Sequence, residues 1–247
     1  AGLLPLVDQG WLWPRTGYER WRRIGPLMPG ERPLAMLAEH LARAFGAEMS
    51  EVRRQLEDGD DPCLAEWLRS RKPDDTTAFL LSVDQFEELF TFADPVQRRA
   101  FDRLLAAALA EADRPLFLMS TVRADFLDRF EQLPRLLDVR NRLARPWTLP
   151  MIGADALREI VDGPAQLAGL DVSEVREAIV AEVEGEPGAL PLAQNALTWL
   201  WENRANGRLS GRLLSDRGGV AGLLSDGADR LLDGLGPQRA AALELLF

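Results

Sequence analysis

Three carboxylates, Asp84, Glu87 and Glu88, follow closely on an unbroken apolar run, Ala78 to Leu81. A run of that kind suits a strand buried on both faces, as in parallel sheets. An acid at the carboxyl end of such a strand faces the crevice where open α/β sheets take ligands. An ionised carboxylate without a partner is costly to bury, so a hydrogen-bond network or a cation is expected beside it. The chemistry available to Asp84 is to hold a Mg²⁺ ion that bridges phosphate oxygens. The competing reading is an ordinary strand whose last acid caps the next helix. A second group bears on the choice. Leu116 to Thr121 is another apolar run, and it ends at Val122-Arg123-Ala124-Asp125. An acid and an arginine on one rim can pair, or they can flank a metal-bound phosphate, the acid on the metal and the arginine on the oxygens.

These residues need elements to position them. Between the two runs, Pro95 to Ala112 carries Phe101, Leu104, Leu105, Ala108 and Ala112 at helical spacing. Strand, helix and strand in that order predict a βαβ unit with parallel strands, which places Asp84 and Arg123 on one rim. Upstream, Ile24 to Met28 is read as a short strand. Pro33 opens a helix within Arg32 to Phe45, with Leu34, Leu37, Leu41 and Phe45 on one face. Ser50 to Arg71 is weakly helical around Asp58-Gly59-Asp60-Asp61-Pro62, a solvated turn without the spacing of a calcium loop. Trp147-Thr148-Leu149 is read as a further strand. Beyond it Ala154 to Leu170, Val172 to Glu184 and Gly188 to Asn203 read as helices, the last with Leu190, Ala193, Leu197 and Leu200 as its core face. A helical domain therefore begins near 151. Gln238 to Phe247 reads as the start of another helix.

Composition narrows the function. A single cysteine, Cys63, allows no internal disulfide and points to a reducing, cytoplasmic setting. With one histidine, His40, set in a helix, a structural zinc site has too few ligands. No apolar run reaches membrane-spanning length. The net charge of −10 argues against broad nucleic-acid binding. The local basic group Arg135, Arg140, Arg142 and Arg145 is read as a solvated or interdomain face, with a phosphate-contact surface as the alternative. The only lysine, Lys72, has no glycine near it, so these 247 residues hold no G-x-x-x-x-G-K-[ST] phosphate loop. Leu3, Leu4, Leu6 and Val7 open without a capping residue, which suggests that the chain starts inside an element.

The ordered set of motifs resembles the STAND NTPases, signal-transduction ATPases with numerous domains, and within them the novel branch often joined to WD-repeat propellers in bacteria. Leu80-Leu81-Ser82-Val83-Asp84-Gln85-Phe86-Glu87-Glu88-Leu89-Phe90-Thr91 resembles the Walker B segment. Ser120-Thr121-Val122-Arg123-Ala124-Asp125-Phe126-Leu127 is similar to the sensor-1 segment. Gly185-Glu186-Pro187-Gly188-Ala189-Leu190-Pro191-Leu192 is similar to the G-x-P motif of the helical lid, and Ala1-Gly2-Leu3-Leu4-Pro5 to the tail of the helix after the Walker A loop. The resemblance covers essentially the whole chain.

It implies a parallel α/β NTPase core over 1–150 whose first strand and phosphate loop lie before residue 1, a helical lid over 151–235, and the start of a further helical or winged-helix domain over 236–247. It implies ATP or ADP with Mg²⁺ as ligands of the longer protein, with Asp84 on the metal, Arg123 on the γ-phosphate and Pro191 tying the lid to the nucleotide. It further implies self-association on activation, downstream sensor or repeat domains, and no membrane partner. Many related ATPases place a catalytic acid directly after the Walker B aspartate, where this chain has Gln85. Glu87 or Glu88 is then the candidate to polarise water, or the fold serves as a non-catalytic scaffold for protein contacts.

Overall fold

The computed structural model describes residues 3–111, 116–186, 188–204 and 207–236. The chain divides into two compact units, Ala1–Pro146 and Trp147–Phe247. In the first unit α1 (Leu3–Asp8) and α2 (Trp13–Thr16) precede β1 (Arg20–Leu27). Helices α3 (Pro33–Phe45), α4 (Met49–Asp58) and α5 (Cys63–Arg69) lead to β2 (Thr77–Val83). Then α6 (Glu88–Thr91) and α7 (Pro95–Ala110) lead to β3 (Leu116–Ser120), and a 3₁₀ segment, Ala124–Gln132, precedes α8 (Pro134–Leu143).

The three strands form one parallel sheet in the order β1-β2-β3. Phe79 lies opposite Leu116 and Val83 opposite Ser120. The βαβ unit is therefore present as β2–α7–β3. All seven residues of β2 are buried, which is why its sequence is apolar without alternation. Phe79, Leu81 and Val83 share a core with Leu34, Leu37 and Leu41 of α3 and with Phe101, Leu104 and Leu105 of α7. Burying one such side chain stabilises by about 1.5–3 kcal/mol. The solvated Asp58–Pro62 turn is tied down, since Asp61 pairs with both Arg103 and Arg135. His40 is half-buried on α3, with Nδ1 2.9 Å from the Met36 carbonyl oxygen.

Sequence signals also set the helix ends that matter for the rim. Asp94 accepts hydrogen bonds from the Val96 and Gln97 amides at 2.7 and 2.9 Å, and Pro95 follows at the first helical position of α7. Asp102, only 3% exposed on α7, accepts the Leu136 and Arg135 amides at 2.8 and 3.3 Å. It fixes the start of α8 to α7.

Two expected strands differ. The first ladder begins already at Arg20 rather than Ile24, running Arg20↔Thr77 to Ile24↔Leu81. As an edge strand it buries mainly Ile24 and Leu27, so its arginines obscure the pattern. Trp147-Thr148-Leu149 is not a strand. Trp147 and Leu149 are 85% and 81% exposed, and no strand among the described residues lies beside them.

The second unit holds α9 (Ala154–Leu167), α10 (Arg176–Val183), α11 (Ala189–Glu202), α12 (Gly211–Asp216) and α13 (Gly219–Gly234). Its core includes Leu157, Val161, Ile179, Val183, Ala193, Leu200 and Leu223. The α10 helix starts later than its apolar pattern suggests. The Asp171 carboxylate takes the amide and hydroxyl of Ser173 into a turn, and Asp171 bridges Arg208. On α11 the buried stripe is Ala189, Ala193, Ala196 and Leu200, while Leu190 turns outward. Small residues at i, i+4, i+7 spacing carry that face, and the larger Leu190 sits off it. Ala112, Pro187 and the Gln238–Phe247 helix lie outside the described residues.

Candidate functional site

The carboxyl rim of the sheet is held by hydrogen bonds that run past the strand ends. The Asp84 amide donates to the Leu27 carbonyl at 2.8 Å, the Thr121 amide to Val83 at 3.0 Å, and the Phe86 amide to Thr121 at 2.9 Å. Asp84 is thus clamped between the end of β1 and Thr121, the residue after β3. Its side chain is exposed rather than buried, yet the expected hydrogen-bond network exists. The Thr121 hydroxyl donates to Asp84 Oδ1 at 2.5 Å, and the Gln85 amide reaches the same oxygen at 3.1 Å. Gln85 N–H also lies 3.0 Å from Thr121 Oγ1. Both contacts fall on Oδ1, which leaves Oδ2 without a hydrogen bond among the described residues.

Packing decides which way the acids point. In Asp84-Gln85-Phe86-Glu87-Glu88-Leu89-Phe90 the side chains of Phe86, Leu89 and Phe90 are buried. Phe86 stacks on Phe130 at 5.2 Å, and Phe90 meets Phe130 at 5.5 Å and Phe126 at 6.3 Å. With the aromatics turned inward, the acids are left at the rim. Gln85 has φ +52°, a left-handed backbone unusual for a non-glycine residue. Such a conformation costs on the order of 1–3 kcal/mol and is typical of turns whose geometry serves a site.

The sequence-predicted residues gather in part. Glu87 Oε2 lies 3.4 Å from the Arg123 amide, at the outer limit of a hydrogen bond, which brings Arg123 to the same rim as Asp84. The Arg123 guanidinium pairs with Asp125, at 3.1 and 2.9 Å, rather than with Asp84. Glu88 points to the loop after β1 and accepts the Gly30 amide at 3.0 Å. Pro191 belongs to the second unit, exposed in the first turn of α11. Thr121 and Gly30 are the residues the sequence reading missed. Thr121 ends the predicted run Leu116 to Thr121, so a hydroxyl at the strand end was the available signal.

No group of three or more His, Cys, Asp or Glu side chains among the described residues is arranged to hold a metal ion. The residues nonetheless fit Mg²⁺ in its usual protein mode, bound through one or two carboxylates with waters and phosphates completing the shell. Asp84 Oδ2 offers one such ligand.

The fold and rim together describe an α/β core with an acid closing its central strand. The whole chain, residues 1–247, matches the family Novel STAND NTPase 1, and the protein belongs to that family. Membership carries a general nucleotide-binding and signalling role. Neither a curated protein nor a solved structure gives a match. No helix among the described residues is long and apolar enough to cross a membrane.

Proposed function

We propose that this chain supplies the metal-binding rim and the helical lid of an ATP/ADP-dependent switch in a signalling ATPase. The observation that carries the reading is Asp84. It closes the central strand, with Oδ1 engaged by Thr121 and Gln85 and Oδ2 without a hydrogen bond among the described residues. In the bound complex Asp84 Oδ2 would hold Mg²⁺, which neutralises charge developing on the phosphate oxygens. Arg123 is placed to exchange Asp125 for a phosphate oxygen, since both are exposed and their pairing is worth little in water. Glu87 is the better placed of the two candidate bases, because Glu88 already holds the Gly30 amide. Pro191 opens the helix that ties the lid to the nucleotide, and exchange of ATP for ADP re-aims the lid and the surfaces used for self-association.

Backbone amides of a glycine-rich loop and a helix N-terminus supply much of the phosphate affinity in such sites. Residues 1–247 contain no Gly-Lys-Ser/Thr loop. Calorimetric titration with Mg-ATP should therefore show no specific binding by these residues alone, and binding when a segment bearing that loop is joined ahead of them. Micromolar affinity in the short chain would place the nucleotide elsewhere. No affinity in the loop-bearing chain would favour the non-catalytic scaffold.

A further inference from the structure

A second place in the first unit has the chemistry of a ligand site. Between the first half of α7 and the start of α8 lies an open cleft of about 520 Å³, lined by Arg98, Arg99, Asp102, Arg103, Gln132 and Arg135 among others. That volume falls within the range of small-molecule sites, about 300–1,000 Å³. Four arginines line the cleft, in a chain whose net charge is −10.

The local acids do not balance them. Asp61 pairs with Arg103 and Arg135. Asp102 is the only carboxylate lining the cleft among the described residues, and it is occupied by the amides at the start of α8. Arg98 has only neutral partners, the Ala93 carbonyl at 2.9 Å and the Gln132 side chain, and its Nε is buried with no hydrogen bond. Arg99 is exposed and has no acidic partner among the described residues. A half-buried guanidinium without an acidic partner, beside an exposed one, leaves room for an anion to add charge-assisted hydrogen bonds.

We propose that this cleft binds a phosphate group, free or as a small phosphate ester, through Arg98 and Arg99. Four cations against two carboxylates leave an excess of two positive charges, which a phosphate monoester near −2 at neutral pH matches and a single carboxylate does not. The forked guanidinium is the donor that reads phosphate bidentately. The α8 amides take no part, since Asp102 already holds them. Of the basic residues singled out in the sequence, only Arg135 joins this cleft. Arg142 pairs with Asp138 and Arg140 stacks on Phe130.

The test is titration of residues 1–247 with inorganic phosphate, followed by ³¹P line width and calorimetry, with glucose 6-phosphate in a second arm to distinguish free phosphate from an ester. Saturable one-to-one binding with Kd of about 1 mM or tighter is expected, weakened about tenfold in Arg99→Gln. Arg99 is exposed, so the variant should fold. Arg54→Gln, on the exposed side of α4, should bind like the native chain. Stronger binding of the ester would assign the cleft to a phosphorylated metabolite, and equal binding to phosphate itself. Absence of saturation in both arms, or equal weakening by Arg99→Gln and Arg54→Gln, would overturn the proposal.

Discussion

Phe86→Ala is the perturbation that most clearly separates this description of the rim from a loosely held loop. Phe86 is 1% exposed and lies nearly parallel to Phe130, with ring centres 5.2 Å apart. Truncating a fully buried phenylalanine costs about 3–5 kcal/mol, the lost transfer free energy plus the cavity left behind. A domain typically has only about 5–15 kcal/mol of stability, so at least roughly a quarter of it is at stake. With a urea slope of about 2 kcal/mol/M, a loss of about 4 kcal/mol moves the midpoint down by about 2 M. Tryptophan fluorescence is a suitable probe, because Trp67 is buried in the same core. Phe92 lies a short way along the chain but is 56% exposed, so Phe92→Ala should stay within about 0.5 kcal/mol of native. If the two variants lost the same stability, the aromatic stack would not be what fixes the acids at the rim.

Other outcomes follow from the same structure. Burial pushes the Asp102 carboxyl above the usual carboxylate range, opposed by its bonds from the Leu136 and Arg135 amides. The folded state then keeps that proton to higher pH, so the stability it contributes is present below the ordinary carboxylate value and lost as pH rises through the folded one. Asp102→Asn stays neutral, so its stability relative to native should increase as pH rises from the ordinary carboxylate value through the raised value of the folded state; a pH-independent difference in urea midpoints would contradict this. In a longer chain carrying the phosphate loop, Thr121→Val should weaken Mg²⁺ affinity about tenfold while Thr121→Ser preserves it, since the hydroxyl orients Asp84. In the same chain, proteolysis between Leu149 and Ala156 should slow with ATP if Pro191 couples the lid to nucleotide. Equal cleavage rates would argue against that coupling.

How much of this was legible in the sequence depends on burial. The β2 and β3 strands announce themselves because Phe79, Leu80 and Leu81 in one, and Leu116 to Met119 in the other, are continuous apolar runs. The start of β1 was hidden because only Ile24 and Leu27 of this edge strand are buried, and Arg20, Arg22 and Arg23 fill its first half. Trp147 to Leu149 has a strand's composition without a ladder partner among the described residues, and composition alone cannot supply one. In α11 the eye goes to Leu190, whereas close packing selected alanines. Asp84 was readable from its position at a strand end. That Thr121 occupies Oδ1 was not, because the contact joins segments far apart in sequence and depends on strand register. Asp102 carried a signal that went unread, a charge among the buried positions Phe101, Leu104 and Leu105. Such a residue on an apolar stripe needs a partner, and here it is the start of α8.

The most direct test of the central claim is Mg²⁺-dependent ATP hydrolysis by a longer chain with a Gly-Lys-Ser/Thr loop, compared with its Asp84→Ala variant. If Asp84 holds the metal, its loss removes several kcal/mol of charge stabilisation, so turnover should fall on the order of 10²-fold or more. Glu87→Ala in the same chain should fall by a comparable factor if it is the base, and Glu88→Ala by much less. Turnover in Asp84→Ala equal to that of the native chain, at the same Mg²⁺ concentration, would contradict the assignment.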